Sequence, residues 1–371
     1  MKKKSIQISK KEAILYIGLI LLFMATLAVT DHNDRYYEQT IGKVMNVQSI
    51  GQKESIDQYR NKEMITTQKL FLTITNGIYK GQQLVISNEY SLSGAFDAKY
   101  NTGDRVFLKI DTSTGLDNAA ITGLKRDKYI ALAAWIFIIL IILIGKRKGF
   151  YSVLSLVLNV VLFSFALDLY LKGFNLLFLC GLIVIVFTIF SLLLVSGNNE
   201  KTYAAVVSTV IGTFLSLLIA FIVLFLTREK GMRYEEMEYL THPPYEIFMA
   251  EILVGSLGAI MDIAITISSS VFELYHSNPA LTAKELITSG TKIGSDIMGT
   301  MINVLFFAYV SGAIPMILIY LKNGFEVAYT LNMNLSLELV RALTGSIGIV
   351  LTIPIALYVT VFYIGRRRAV N

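Results

Sequence analysis

Long apolar runs separated by short polar stretches dominate the chain and predict membrane-spanning helices. A helix that crosses the hydrocarbon core of a bilayer needs about 20 mostly apolar residues. Eight segments meet this requirement, at 13–30, 129–145, 151–171, 174–195, 203–226, 247–272, 297–321 and 342–364. The sequence therefore predicts an α-helical polytopic membrane protein of about eight transmembrane helices in contact with the lipid bilayer. Residues 1–30 are the predicted tail and N-terminal anchor, and residues 129–371 form a predicted seven-helix transmembrane domain.

A polar stretch at 31–128 separates the first two apolar runs and has the pattern of a β domain. Alternating apolar residues in "TQKLFLTIT" and "QQLVISN" flank the glycine-containing turn "NGIYKG", which predicts a hairpin. "TIGKVMNVQSI" is predicted to open the domain, and "RVFLKID" follows the turn "NTGD". Four or five short strands within 98 residues predict a small all-β, OB-like barrel.

Charge and composition place this architecture in the membrane. Of 371 residues, 54% are hydrophobic and 16% are charged, and the mean hydropathy is +0.59. The formal net charge of +6 arises from lysines and arginines near helix ends, 14 on one side of the predicted helices against five in the short loops on the other. This asymmetry predicts cytoplasmic termini and an extracytoplasmic β domain in a multi-pass protein of the cell membrane. The same distribution gives no reason to expect binding of nucleic acid.

The first apolar run has two interpretations. Its 17 apolar residues, 13–29, exceed the usual length of a signal-peptide core and favour an uncleaved anchor. A cleaved signal peptide is the alternative, since "TLA" at 26–28 resembles a cleavage site. Cys180 is the one cysteine, so the chain forms no internal disulfide.

The predicted helix at 247–272 carries an acidic stripe. Glu251, Asp262 and Glu273 are 11 residues apart, about three helical turns, and therefore share one face. A charge at the bilayer midplane, where Asp262 is expected, costs about 2.5 to 3.5 kcal/mol on insertion scales, so the side chain needs a partner or a hydrated cavity. The same face carries Gly255, Gly258, Thr266, Ser269 and Ser270.

Two later predicted helices also carry a stripe of polar residues along one face. Asp296, Thr300 and Asn303 follow helical spacing, and Glu338 and Arg341 open a stripe that continues through Gly345, Gly348 and Thr352. Polar faces avoid lipid, so we expect them to turn inward and meet around one region. The predicted intramembrane polar site consists of Asp262, Asn159, Asn303, Thr266, Ser269 and Ser270, with Glu251, Glu273, Asp296, Glu338 and Arg341 as pathway or structural charges.

Each feature also has a purely structural explanation. The glycines and serines on these faces allow helices to approach closely. Glu338 and Arg341 could form an interfacial i, i+3 pair, while Glu251, Glu273 and Asp296 could reach water at helix ends. Asp262 could make a structural hydrogen bond.

The sequence offers little support for an enzyme. The three histidines, His32, His242 and His276, are scattered and have no metal-ligand spacing, so no metal site is predicted. "GAIM" precedes Asp262 in place of the G-x-G-D context of intramembrane aspartyl proteases. No Walker motif is present, and no cofactor is expected.

Three segments carry a family resemblance. "GSLGAIMDIAITISSSVFEL", "IGSDIMGTMINVLFFAY" and "ELVRALTGSIGIVLTIPI", in this order, resemble the YibE/YibF-like bacterial membrane proteins. "NGIYKGQQLVISN" and "NTGDRVFLKI" resemble the extra outer domain of the longer, YibE-type members. The resemblance implies a bacterial cell-membrane protein, with a shorter YibF-like protein as a partner, and it implies no reaction.

Two functions follow from these patterns. The first is a permease in which a proton- or ion-responsive intramembrane carboxylate lines the path of a solute that the sequence does not name. The alternative is a non-catalytic accessory or scaffold protein whose outer β domain binds a partner or an envelope component. An intramembrane enzyme is the third and least supported class.

Overall fold

The computed structural model describes residues 10–94, 97–111, 115–237 and 243–370. These residues belong to two compact units, Met1–Ile144 and Gly145–Asn371. The first unit contains the antiparallel sheet, and the second contains most of the helices.

The first unit begins with helix α1, Lys10–His32, and a 3₁₀ turn at Asn33–Tyr36. Five antiparallel strands follow in the sheet order β3-β2-β1-β4-β5. Alternate residues of the inner strands, among them Val44, Leu70, Leu72, Val106 and Leu108, form its buried core. The strands are β1 (Thr40–Ile56), β2 (Lys62–Ile74), β3 (Gln83–Ser91), β4 (Arg105–Asp111) and β5 (Gly115–Leu124).

The sheet confirms the predicted strands but not a barrel. Strands β2 and β3 pair from Thr73↔Gln83 to Ile65↔Ser91 across the predicted turn. The sheet is open, with β3 and β5 at its two edges. A closed barrel would need β3 to pair with β5, and no pairing between these two edge strands is found among the described residues. Five strands agree with the predicted four or five, but the position of β5 was not identified, because "GLDNAAITGL" lacks a clear alternation of apolar and polar residues.

A buried ion network lies beside the sheet in this unit. The Lys125 side chain is 3% exposed, and its Nζ lies 2.8 Å from Asp34 Oδ1 and 3.2 Å from the Thr30 carbonyl oxygen. Arg105 Nη1 lies 3.0 Å from the same carboxylate. A buried lysine of this kind is stable only when carboxylates and carbonyls surround its ammonium group.

Helix α2, Asp127–Leu171, contains two of the predicted spans. Lys146 lies between them with a non-helical backbone (φ 51°, ψ −124°). Among the described residues, six helices are long and apolar enough to cross a membrane, where the sequence predicted eight. The two numbers differ because the spans predicted at 129–145 and 151–171 form one continuous helix, α2, and because α1 is not among the six.

The remaining helices form the second unit together with the end of α2. They are α3 (Leu176–Ser196), α4 (Glu200–Thr227), α5 (Pro244–Ser277), α6 (Ala283–Lys322) and α7 (Val327–Val370), with a 3₁₀ turn at Tyr234–Glu236. A capping box of Thr282 and Glu285 begins α6, which continues unbroken from this cap to Lys322.

Small residues bring α4, α5 and α7 close together. A Cβ at Gly212 of α4 would overlap Thr352 of α7, and one at Gly348 would lie 3.0 Å from Ser216 Oγ. The Ser216 hydroxyl donates to the Thr344 carbonyl oxygen at 2.7 Å. The close approach of these helices allows hydrogen bonds to form between them. Close packing and hydrogen bonds stabilise helix association in a membrane, because lipid removes the hydrophobic driving force.

Candidate functional site

Charged side chains of α5 and α7 meet at one end of the helical unit. Arg341 Nη1 donates to Glu251 Oε2 at 2.6 Å, and Nη2 pairs with Glu338 one turn away on α7. The Arg341 guanidinium also lies 5.7 Å from the centre of the Tyr309 ring on α6. This group of four residues, the Arg341 cluster, therefore joins three helices through one cation.

Close helix packing holds the Arg341 cluster in place. A Cβ at Gly345, one turn beyond Arg341, would lie 3.6 Å from Ser256 Cβ on α5. A Cβ at Gly255 would overlap the Tyr309 hydroxyl. Because neither glycine carries a side chain, α7 and α6 approach α5 where Glu251 projects.

Two cavities share the ion pair as part of their walls. The apolar cavity, about 400 Å³, lies between the end of α2, α3 and α5, and Glu251 and Arg341 are its charged lining residues. The acidic cavity, about 460 Å³, is lined by Glu236, Glu251, Glu338 and Arg341 together with apolar residues of α5, α6 and α7. The contact between Arg341 and Glu251 is thus common to both spaces.

Glu236 adds a third carboxylate to the acidic cavity. It lies in the 3₁₀ turn between α4 and α5, and its Oε2 is buried with no hydrogen-bond partner among the described residues. Burial and the nearby Glu338 raise the pKa of Glu236 to about 7, against a smaller opposing effect of Arg341. One carboxylate of the site therefore titrates near neutral pH.

Replacing Glu236 with glutamine should remove a pH dependence of folding stability. The raised pKa means that Glu236 contributes stability below its unfolded pKa of 4.5, which is lost as pH rises through about 7. We expect the unfolding midpoint of the parent to fall between pH 5 and 8 by more than that of Glu236→Gln. The exposed neighbour Glu235 supplies the control, and a Glu235→Gln profile unlike the parent's would show that the loop, not Glu236, is responsible.

The structure corrects the expected direction of the Asp262 stripe. Asp262 is exposed on the helical unit, whereas Ile260, Ile263 and Ile267 are fully buried. At this level of α5 the isoleucine side packs on the neighbouring helices, so Asp262 does not face the core, whereas Glu251 and Gly255 of the same stripe contact Arg341 and Tyr309 nearer the start of the helix. Within the described part of the chain, Asp262 makes no hydrogen bond or ion pair.

The other predicted polar residues do not gather around Asp262. Asn159 Nδ2 donates to Ser191 Oγ of α3 at 2.9 Å. Asp296 and Asn303 are exposed on α6, and Thr266, Ser269 and Ser270 are partly buried on α5. Gly255 packs beside Tyr309 and Gly294 beside Ile267, so α5 and α6 are antiparallel. Between these two contacts, Asn303 lies within about one helical turn of the level of Asp262 along the bundle.

Glu273 lies at the other end of α5 beside a polar cavity of about 480 Å³. Arg367 Nη1 lies 3.7 Å from Glu200 Oε2 and 3.4 Å from His276 Nε2 there. The residues lining this cavity are Asn199, Glu200, Lys201, Phe272, Glu273, His276 and Arg367. Groups of three or more histidine, cysteine or acidic side chains suited to a metal ion are not found in the described ranges.

Sequence reasoning found part of the Arg341 cluster. The i, i+3 spacing indicated that Glu338 and Arg341 would meet, and Glu251 was among the charges expected on the facing helices. Glu236 was missed because the position of a 3₁₀ turn does not follow from helical periodicity. Tyr309 was missed because it lies off the polar face of α6.

Comparisons with known proteins assign the family. The YibE/F family N-terminal domain matches residues 35–124, which include the sheet, and the YibE/F-like protein family matches residues 133–366. Comparison with curated proteins gives no match, and comparison with solved structures gives none either. The two family matches together cover most of the chain, and the protein belongs to the YibE/F-like family.

Proposed function

We propose that this protein is a permease whose solute path passes the Arg341 cluster. The observation that supports this proposal best is the ion pair between Arg341 and Glu251, which forms part of the wall of two cavities. The pair is partly buried at one end of the helical unit, where a charged contact between two cavities can control the entry of ions or substrates to a path. The solute is not identified.

The ion pair is suited to act as a reversible barrier. Glu251 belongs to α5 and Arg341 to α7, so opening the barrier requires these two helices to move apart locally. A cation or proton that engages Glu251 weakens its attraction to Arg341, and a local rearrangement of packed helices then links the two cavities. Glu251 is therefore the ion-responsive carboxylate in this proposal, in place of Asp262.

The polar cavity beside Glu273 would be the opposite end of the path. Arg341 and Arg367 are 26 residues apart on α7, about 39 Å along a helix and enough to span a bilayer. In the proposed cell-membrane topology both termini are cytoplasmic, which puts Arg367 inside and Arg341 outside. Residues 1–30 are the tail and anchor, 31–128 the outer domain, and 129–371 the transmembrane domain.

Substitution of Glu251 tests the proposal. Metabolite and ion profiling of a deletion strain, with and without the parent gene, would first identify a solute for flux assays in proteoliposomes. Glu251→Gln should reduce the flux at least about tenfold, the equivalent of about 1.4 kcal/mol. Glu246→Gln provides the matched control, because Glu246 lies on the same helix outside the cavities described above. Equal fluxes for parent and Glu251→Gln would contradict the proposal.

The exposed Asp262 favours a second candidate function. An exposed carboxylate in mid-span, with no hydrogen bond or ion pair to a described residue, would face lipid at a cost of about 2.5 to 3.5 kcal/mol unless another protein covered it. The chain would then be an accessory or scaffold subunit bound to a second membrane protein, of which a shorter YibF-like protein is the first candidate, and its sheet domain could bind an envelope component. Co-purification that Asp262→Asn abolishes, in a protein without solute flux, would support this function over the permease.

A further inference from the structure

We infer that the apolar cavity binds a small hydrophobic cation, with the apolar body among α2, α3 and α5 and the positive group against Glu251. This inference deepens the proposed function, on which it rests, because it names the class of solute. It is drawn from the lining, the size and the charge balance of the cavity.

The lining of the cavity suits an apolar ligand body. Phe163 and Leu167 of α2, Leu179 and Ile183 of α3, and Val254 of α5 are among the apolar residues that line it. A volume of about 400 Å³ lies within the 300–1,000 Å³ range typical of small-molecule sites. Such a site derives its affinity from apolar contact and its specificity from a few polar groups.

The polar groups at the end of the cavity favour a cation. Arg341 already contacts two carboxylates, Glu251 and Glu338, so its guanidinium is not free to recruit an anion. Glu251 has a 36% exposed side chain, against 17% for Arg341 and 16% for Glu338. The apolar cavity is lined by Glu251 and Arg341 but not by Glu338, and of these two charged residues the carboxylate is the more accessible, so the charge that a ligand meets first is negative.

Aromatic residues strengthen this preference. Phe163 and Tyr170 both line the cavity from α2. An aromatic face within about 6 Å of a cation attracts it, and quaternary ammonium groups are commonly recognised in this way. Neither the attraction of the Glu251 carboxylate nor that of the aromatic faces for a positive charge acts on a neutral ligand of the same shape.

A lipid acyl chain is the rival occupant. The lining helices are membrane-spanning, so a hydrocarbon chain could fill the same space without any contact to Glu251. The two occupants differ in their dependence on charge: a lipid-filled groove would bind cationic and neutral molecules of equal shape equally well.

Binding of an isosteric pair distinguishes these occupants. Phenyltrimethylammonium and tert-butylbenzene have the same shape and differ by one positive charge. Their equilibrium binding to the full-length protein in lipid nanodiscs would be measured against empty nanodiscs, which corrects for partitioning into lipid. We expect the parent protein to bind the cation at least about tenfold more tightly.

Three variants complete the test. Glu251→Gln should bring the affinity for the cation to within about threefold of that for the neutral molecule. Leu167→Trp should weaken both by about tenfold by filling the cavity, whereas Val160→Trp, an exposed position of α2 outside the cavity lining, should weaken neither. Equal affinities of the parent protein for the two isosteric molecules would overturn the inference. This comparison uses the parent alone and does not depend on whether any variant folds.

This experiment separates the inference from the proposed function. Charge-selective binding without any solute flux would retain the site and reject the permease. Flux of another class of solute, together with equal binding of the isosteric pair, would retain the permease and reject the hydrophobic cation.

Discussion

Arg341→Met is expected to lower the free energy of unfolding by about 3 to 5 kcal/mol. The substitution leaves Glu251 and Glu338 close together with no countercharge, and both lie on membrane-spanning helices. Removing one partner of a buried ion pair costs this much because the remaining charge stays desolvated. Unfolding of the purified protein in mixed micelles of increasing denaturing-detergent content would measure the loss.

Arg367→Met provides the matched control on the same helix. Arg367 lies 3.7 Å from Glu200, and both side chains are more than 40% exposed, so its removal should cost no more than about 1 kcal/mol. Changing Glu251 and Glu338 to glutamine in the Arg341→Met background should restore part of the stability, because the uncompensated charges then disappear. Similar losses for the two arginine variants would show that the Arg341 cluster is not electrostatically coupled.

Lys125→Met is expected to destabilise the sheet unit by a similar amount, about 3 to 5 kcal/mol. Lys125 lies 2.8 Å from Asp34 and 3.7 Å from Asp127, and its side chain is nearly inaccessible. Burial favours the neutral form of Asp34, but hydrogen bonds from Lys125 and Thr75 and the charges of Arg105 and Lys125 outweigh it, so the pKa of Asp34 lies below its ordinary value of 3.8. The stability that this interaction supplies is present above that value and is lost as pH falls through the lowered pKa.

Lys128→Met is the corresponding control. Lys128 pairs with Asp31 at 3.2 Å, but the two side chains are 55% and 44% exposed, which predicts an effect within about 1 kcal/mol. The loss of stability in both variants would be measured by heating the full chain and monitoring unfolding through the rate of proteolytic cleavage within the sheet. If Lys125→Met matched Lys128→Met, the buried network would contribute nothing to the fold.

The sequence predicted elements better than their packing. Apolar length identified the helices and alternation identified four strands, because each pattern reflects the local geometry of its own element. Whether β3 pairs with β5 to close a barrel depends on long-range contacts, which the pattern of a single strand does not reveal. The predicted span at 297–321 misses the start of α6 at Ala283, because apolar length marks the part of a helix that meets lipid and not its polar first turns.

In the candidate site, too, contacts within one helix were predictable from the sequence, whereas contacts between helices were not. Glu338 and Arg341 were predictable as a pair because their spacing on one helix fixes their contact. Asp262 was expected to face inward because polar residues avoid lipid, but the rotation of α5 about its axis is decided by Ile260, Ile263 and Ile267. A rule that is correct on average was outweighed here by the isoleucine packing on the opposite side of the helix.

Locking α5 to α7 tests most directly whether the ion pair is a movable barrier. Cysteines at Ser256 and Gly345, in a Cys180→Ala background with Leu305→Ala to make room, should form a disulfide, since the two Cβ positions lie 3.6 Å apart. The pair lies beside Glu251 and Arg341 but leaves both charges intact. Oxidation should reduce solute flux at least about tenfold, and reduction of the disulfide should restore it. Undiminished flux through fully cross-linked protein would contradict a path that opens between these helices.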